Sequence, residues 1–351
     1  MTSQRPGAPP LFAPDRRTFL KAGGAALTTA LAMPYIARAQ DNVLYVNTWG
    51  GPWEEAARAH LFDPFTAETG IEIRTVSPVS FAKLAQQVQT GIYEFDVTTL
   101  GGGELVRANQ AGIIEELQAP YEGGLFENGV ASHAFATVIA YRTDKFPDGG
   151  PQNWAEFWDV ERFPGSRSLQ RYPARVLPIA LLADGVAVED LYPLDIDRAF
   201  ASLDRIKDHI LVWWTAGAQS TQLLRDGQVD LIGIWHGRYF EAEDAGAPVA
   251  MTWNQGEIDR AYWVVAKDTP NAENVKKFIE FATSAKPLAG FVTQADYGPL
   301  NPAANEFISA EDAKRMPTSP ENYPQTFEQD IANLGADPAE IAQRFEEWLA
   351  T

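Results

Sequence analysis

Between residues 41 and 110 the chain switches three times from the two-residue period of a strand to the 3.6-residue period of a helix. No other feature narrows the fold as far. DNVLYVNTWGG (41–51) carries Leu44 and Val46 on one strand face and breaks at Trp49-Gly50-Gly51. PWEEAARAHLFDPFTAETG (52–70) follows as a helix, with Pro52 in its first turn, acids close behind and Gly70 as its stop. IEIRTVSP (71–78) is a second strand, FAKLAQQVQTG (81–91) a helix with Leu84 and Val88 four apart, FDVTTLGGG (95–103) a third strand running into glycines, and ELVRANQAG the next helix. Such alternation means βαβ units and a mostly parallel sheet.

The middle of the chain repeats the pattern. ATVIAYRTDKF (136–146) reads as an extended crossover, NWAEFWDVERFPG (153–165) as a short helix and a stop, and SRSLQRYP (166–173) as a strand with a polar tip. RVLPIALLADG (175–185) is a helix containing Pro178, and IDRAFASLDRIKDHI (196–210) an amphipathic one. QSTQLLRDGQ (219–228) is a helix for which Ser220 or Thr221 is the expected cap, and VDLIGIW (229–235) a buried strand. YWVVAKD (262–268) is a strand and ENVKKFIEFATS (273–284) a helix; EDAKRM (311–316) and DPAEIAQRFEEWLA (337–350) are helical segments of the tail.

Residues 1–39 read as an address. DRRTFLK (15–21) places paired arginines before an apolar stretch, and Ala37-Arg38-Ala39 has the small-x-small form of a cleavage site, so the segment resembles a twin-arginine export leader. Its apolar run is shorter than the ~20 residues a membrane-spanning helix needs. The leader holds five basic residues and one acid, so its removal takes the formal charge from −19 to −23. A chain that acidic repels phosphate backbones, which excludes nucleic acid as the expected partner. The remaining length exceeds what one hydrophobic core usually organises, so two lobes are expected. With no cysteine there is no disulfide framework and no thiolate chemistry.

Catalytic patterns do not assemble. Ser80-Phe81-Ala82-Lys83 matches S-x-x-K, but no K-T-G follows, and G-x-S-x-G, H-E-x-x-H and a P-loop are absent. His60, His133, His209 and His236 are scattered without metal spacing, so neither a metal nor a cofactor is expected. The triglycine Gly101-Gly102-Gly103 lacks the remaining spacing of a dinucleotide fingerprint and reads as a crevice loop.

What recurs is an aromatic, a glycine or an arginine at the carboxyl end of a strand: Trp49, the triglycine, Arg171-Tyr172, and Trp235-x-Gly-Arg238. In open α/β sheets, ligands sit in the crevice beyond those ends. Each residue also has a plainer role. Trp49 or Trp235 alone suits a core, Arg238 suits an ion pair with Glu241 or Glu243, and Arg171 suits one with Asp184 or with an acid of another element.

From about residue 41 to 305 the chain resembles the polyamine-type periplasmic solute-binding proteins of ABC importers. The resemblance rests on NTWGGPWEEAARAHLFDPFTAETGIEI, NWAEFWDVERFPGS, LYPLDIDRAF, VWWTAGAQSTQLLRDGQVDLIGIWHGRY, PNAENVKKFIEFA and YGPLNPAA. It implies an α/β fold of two lobes, a type II periplasmic binding protein, with a ligand cleft between lobes joined by crossover strands. The expected division is 41–137 with 264–302 for lobe 1, and 138–263 with the C-terminal helices 303–351 for lobe 2. It also implies a periplasmic receptor without enzymatic activity that docks on a membrane permease; a monomer is expected, and the leader implies export by the twin-arginine machinery.

The implied site comprises Trp49, Gly102, Arg171, Tyr172, Ser220, Trp235, Arg238, Asp259 and Tyr297. The family's polyamine carboxylates do not carry over. Arg171 and Tyr172 stand where acids are expected, and Ala261 replaces another, with Asp259 two residues earlier. Arg238, at tryptophan plus three, matches the place where a branch that includes 4-aminobutyrate binders holds a ligand carboxylate, and a planar fork suits that group. The expected solute therefore carries a carboxylate and is amino-acid-like, bound between Trp49 and Trp235 with Asp259 free for an amine. Polyamine binding, with Asp259, Glu257 and Glu104 supplying the acids, is the alternative. An exported hydrolase lacks a nucleophile–base pair, and a ferric-ion receptor would need neighbouring tyrosines that the chain does not have.

Overall fold

The computed structural model describes residues 42–118, 121–122 and 124–351; the leader 1–39 lies outside the described residues. The first three strands, β1 (Val43–Asn47), β2 (Glu72–Val76) and β3 (Val97–Gly101), lie parallel in the order β2-β1-β3. Helix Gly51–Ala57 passes through a π-helical turn, Arg58–Phe62, into helix Asp63–Thr69, which Gly70 ends in the left-handed region at φ 73°. Ser80 begins helix Phe81–Thr90 by accepting the Lys83 N–H at 3.3 Å, so Ser80-x-x-Lys83 is a helix cap and not a nucleophile motif.

After β4 (Leu125–Phe126), two long strands organise everything else: β5 (Gly129–Arg142), and β9 (Val249–Val265), which follows β6 (Arg167–Gln170), β7 (Ile210–Trp214) and β8 (Leu231–Trp235). They pair antiparallel along most of their length, from Val130↔Trp263 to Arg142↔Val249. One end of the ribbon carries β3 on Ala261–Val265 of β9, and the other carries β8 on Thr137–Tyr141 of β5. Strands β8, β6 and β7 continue in parallel, giving the order β2-β1-β3-β9-β5-β8-β6-β7. The ribbon thus belongs to both half-sheets. Its register shifts at Ala131/His133 and Thr137/Ile139, and such bulges bend a strand.

Both faces of both half-sheets are covered, as parallel sheets require. Side chains of β9 alternate accordingly: Trp263 and Val265 enter a core with Trp53, Phe65 and Phe278, while Tyr262 and Val264 enter another with Leu84, Phe95 and Leu105. On the other half, Leu231 joins Trp154, Leu177 and Leu203, while Ile232 and Ile234 join Trp214 and Tyr239.

Several sequence expectations need correcting. The crossover strand begins at Gly129 rather than Ala136, and β9 starts at Val249, thirteen residues before the expected YWVV strand. Helix Gly217–Arg225 is capped at Ala216, upstream of Ser220 and Thr221, and the Ser220 Oγ donates back to the Gly217 carbonyl at 2.7 Å. Helix Ala285–Ala295 was not anticipated, because Gly290 interrupts its pattern. That glycine serves close packing, since a Cβ there would lie 2.4 Å from Nδ1 of His60.

The tail returns across the ribbon. β10 (Gly298–Pro299) pairs with β5, β11 (Phe327–Glu328) lies parallel to β9 at Glu257–Ile258, and helix Pro338–Ala350 buries Phe345 against Phe200 and Trp213.

Two buried bases hold these elements in place. Arg167, at the start of β6, is fully buried and donates to the carbonyls of Phe157 (2.9 Å), Gly165 (2.8 Å) and Phe163; burial pushes its pKa down to about 10. His236 accepts the Ala136 N–H at Nδ1 (3.0 Å) and donates from Nε2 to the Asp296 carbonyl, with burial lowering its pKa to about 4. Arg167→Met orphans those carbonyls and is expected to cost about 3 kcal/mol in urea unfolding; a change under about 0.5 kcal/mol would contradict this role. The His236 pKa lies below its unfolded value of about 6.5, so the unfolded chain takes the proton first and stability is lost as pH falls from there toward 4. His236→Gln is expected to flatten the stability–pH slope in that window by up to one proton, and an unchanged slope would reject the assignment.

Candidate functional site

The chemistry gathers on one face of the ribbon where the half-sheets meet. Asp259 lies opposite Phe135, Glu257 opposite Thr137, and Thr137 opposite Trp235 of β8. Residues two apart on a strand share a face, so these five side chains form two adjacent rows. Helix Pro173–Ala183, which follows β6, lays Arg175 across them. The Arg175 guanidinium sits 4.6 Å over the Phe135 ring and 5.6 Å over the Trp235 ring, and it donates from Nη2 to Asp259.

Asp259 is buried, and its Oδ1 also accepts the Arg260 N–H at 2.7 Å. The opposite wall comes from the end of β3: a Cβ on Gly101 would lie 3.3 Å from Asp259 Oδ2 and 3.6 Å from Arg175 Nη2. Glu104, in the first turn of helix Gly102–Gln110, stands within the field of Arg175 and Asp259, and burial raises its pKa. Glu257 is fully buried, and desolvation raises its pKa well above the carboxylate range despite the nearby Arg175. Among the described residues, two buried donors in this region have no hydrogen-bond partner: Arg175 Nη1 and Trp235 Nε1.

Arg175 is the residue that sequence reasoning missed. It lies four positions beyond Arg171 and read as the first residue of the helix 175–185; the helix begins two residues earlier, at Pro173, and Arg175 stands in its first turn. Alternation at Glu257 and Asp259 was the available clue to a polar face on β9.

The expected site residues fare differently. Trp235 packs into an aromatic group with Trp214 (centroids 4.9 Å, perpendicular), Tyr172 (5.8 Å) and Phe135 (6.0 Å). Tyr172 is fixed by its hydroxyl on the Thr215 carbonyl at 2.6 Å. Arg238, in the first turn of helix His236–Asp244, is mostly buried and pairs with Glu241 through Nη1, as its plainer role anticipated. It nonetheless stays beside the indole, since a Cβ on Gly217 would lie 2.6 Å from Arg238 Nε and 3.2 Å from Trp235 Cζ3. Tyr297 lies within the field of Arg238 and packs on His133 at 4.5 Å.

Trp49 is half-exposed at the end of β1, with Nε1 donating to Thr99 Oγ1 at 3.0 Å; among the described residues its ring makes no contact with Trp235. Arg171 is drawn away from the ribbon into an exposed ion pair with Glu346 of the C-terminal helix, while Asp184 pairs with Arg198 and Arg205. Gly102 is covered by Ile331 of the returning tail, whose Cδ1 lies 1.8 Å from where a Cβ would stand. Ser220 is buried with its hydroxyl turned back to its own helix. Among the described residues no group of three His, Cys, Asp or Glu side chains could hold a metal ion, and no helix is long and apolar enough to cross a membrane.

Residues 60–320 match the family described as bacterial extracellular solute-binding protein. The chain is 34% identical over 334 residues to a gamma-aminobutyric acid-binding protein of Pseudomonas aeruginosa, covering 91% of this chain and 94% of that one. It is 24% identical over 315 residues to the spermidine/putrescine-binding periplasmic protein of Escherichia coli, with 82% and 86% coverage. An ABC transporter substrate-binding protein from Bradyrhizobium japonicum superposes with a TM-score of 0.83 at 36% identity, covering 87% of this chain and 99% of the other. With its two half-sheets joined by a crossover ribbon, this chain belongs to the bacterial extracellular solute-binding proteins.

Proposed function

We propose that this protein is the periplasmic receptor of an ABC importer and captures a small amino-acid-like solute by its carboxylate. The carrying observation is a pair of buried donors beside Trp235 that have no acceptor among the described residues: Nη1 of Arg175 and the indole Nε1 itself. A buried donor left unmade costs about 1–3 kcal/mol, a cost that a ligand acceptor in the cleft removes. Arg175 over the indole face and Arg238 at its edge supply two guanidinium forks, which suit a carboxylate. Similarity to a gamma-aminobutyric acid-binding protein supports the same class.

A polyamine fits this arrangement poorly. It brings only donors and positive charge, so it would leave both N–H groups unmet and place ammonium beside guanidinium. Asp259, the acid best placed for an amine, is already engaged by Arg175.

The mechanism is lobe closure. Lobe 1, 41–137 with 264–302, carries Trp49 and Gly101; lobe 2, 138–263 with 303–351, carries Arg175, Trp235 and Arg238. A solute touching both stabilises the closed form by its differential affinity for it. The closed monomer then docks on its permease. The leader 1–39 directs export through the twin-arginine route.

Protein freed of bound solute by unfolding and refolding is expected to bind 4-aminobutyrate or a related amino acid in calorimetry. Arg238→Ala and Arg175→Ala should each weaken that binding by at least ~30-fold, the size of truncating a buried charge contact. Tight spermidine or putrescine binding that survives Arg238→Ala, with no response to carboxylates, would overturn the proposal. Replacing Arg16 and Arg17 together by lysine should leave the precursor in the cytoplasm on fractionation; unchanged export would assign the leader to another route.

A further inference from the structure

The Arg238 side chain is 20% exposed, so unlike the fully buried Arg167 it stays within reach of a solute. Glu241, one helical turn on, accepts from its Nη1, and among the described residues the guanidinium has no other hydrogen-bond partner. A guanidinium receives a carboxylate bidentately on one of two edges, Nη1–Nη2 or Nε–Nη2. With Nη1 engaged by Glu241, the Nε–Nη2 edge is the one that remains whole.

Two neighbours on helix Gly217–Arg225 set where that edge lies. The Thr221 hydroxyl stands 3.0 Å from Glu241 Oε2, 3.3 Å from the Arg238 carbonyl and 3.4 Å from the Gly217 carbonyl. A hydroxyl has one proton to give, and the shortest contact, to a carboxylate, takes it. Glu241 is thereby held from a second helix, which an ordinary i,i+3 surface pair is not. Gly217 lies against the other side of the guanidinium. A Cβ there would stand 2.6 Å from Arg238 Nε, 3.3 Å from Arg238 Cδ and 3.2 Å from Trp235 Cζ3, so any side chain would cover the Nε edge. The backbone at Gly217 is outside the left-handed region, so its conformation does not call for glycine.

We infer that Gly217, Thr221 and Glu241 are positioning residues of the receptor site. Thr221 and Glu241 hold the guanidinium by Nη1, and the missing side chain at Gly217 keeps the Nε–Nη2 edge open beside the indole for the ligand carboxylate. This rests on the carboxylate reading above and adds to it the residues that aim Arg238. Glycine then stands at 217 against helix preference, since alanine is the better helix former. A fork already fixed in place loses less freedom when a carboxylate arrives, and affinity gains by that amount.

Calorimetry with 4-aminobutyrate, alongside thermal unfolding, tests this. Gly217→Ala should unfold no earlier than the wild type yet bind about tenfold more weakly, the size of losing one hydrogen bond to a charged group. A glycine of purely structural value would not separate the two readouts. Glu241→Gln keeps an acceptor for Nη1 and a partner for Thr221, whereas Glu241→Ala keeps neither. Both remove the charge, so the roughly fivefold tighter binding expected of the Gln variant reads position alone. In the Arg238→Ala background each of these substitutions should change affinity by less than about twofold, because the group they position is gone. Wild-type affinity in Gly217→Ala, equal affinities of Glu241→Gln and Glu241→Ala, or undiminished effects in the absence of Arg238 overturn this inference; if Arg238→Ala by itself still weakens binding, the carboxylate reading stands. A wild-type protein that takes no 4-aminobutyrate also overturns it, and tight polyamine binding in that case removes the carboxylate reading as well.

Discussion

The ion pair between Arg175 and Asp259 ties the site to the fold. One partner rises from a helix that follows β6 of the second half-sheet, and the other stands on β9, the strand shared by both. Burying such a pair gains little by itself, because desolvation offsets the attraction, but losing either partner leaves an uncompensated charge in a dry place. The pair therefore acts mainly to fix position: it holds the guanidinium flat over Phe135 and Trp235 with one terminal nitrogen spent on Asp259 and the other kept for something else.

The same dry surroundings sort the acids around it. Asp259 pairs with the arginine, while desolvation raises the pKa of Glu257 and of Glu104 beside it. Three carboxyl groups close together would look, on composition, like a trap for polycations. Burial disfavours the charged form of two of them, and the Arg175 guanidinium lies among all three, so the face is a weaker store of negative charge than its acids suggest. Counting acids in the sequence thus favours a polyamine, whereas their placement favours an acid.

The sequence made the alternation of strand and helix legible because glycine stops, caps and short apolar runs are local. Gly70, Ser80, Gly91 and the strand ends at Trp49 and Trp235 all stand where local rules put them. What local rules could not reach was pairing at long range. β9 is a strand through MTWNQGEIDR only because β5 lies beside it, and Arg171 turns outward only because Glu346, 175 residues away, meets it there. Arg175 was hidden for the same reason: a first-turn arginine looks like any solvated helix residue until the ribbon is placed beneath it. Ile331 covers Gly102 through a tail whose path no periodicity announces.

A receptor that must close on its ligand needs a site that is incomplete alone. If Arg175 and Trp235 were fully satisfied by the protein, a bound solute would gain little beyond apolar contact, and the site would discriminate weakly between ligands. Leaving donors unmatched on a rigid, shared ribbon makes the empty closed form costly and the correctly filled one favourable. The shared strands set the register of the groups on this face, and the irregularities at Ala131/His133 and Thr137/Ile139 bend the ribbon locally.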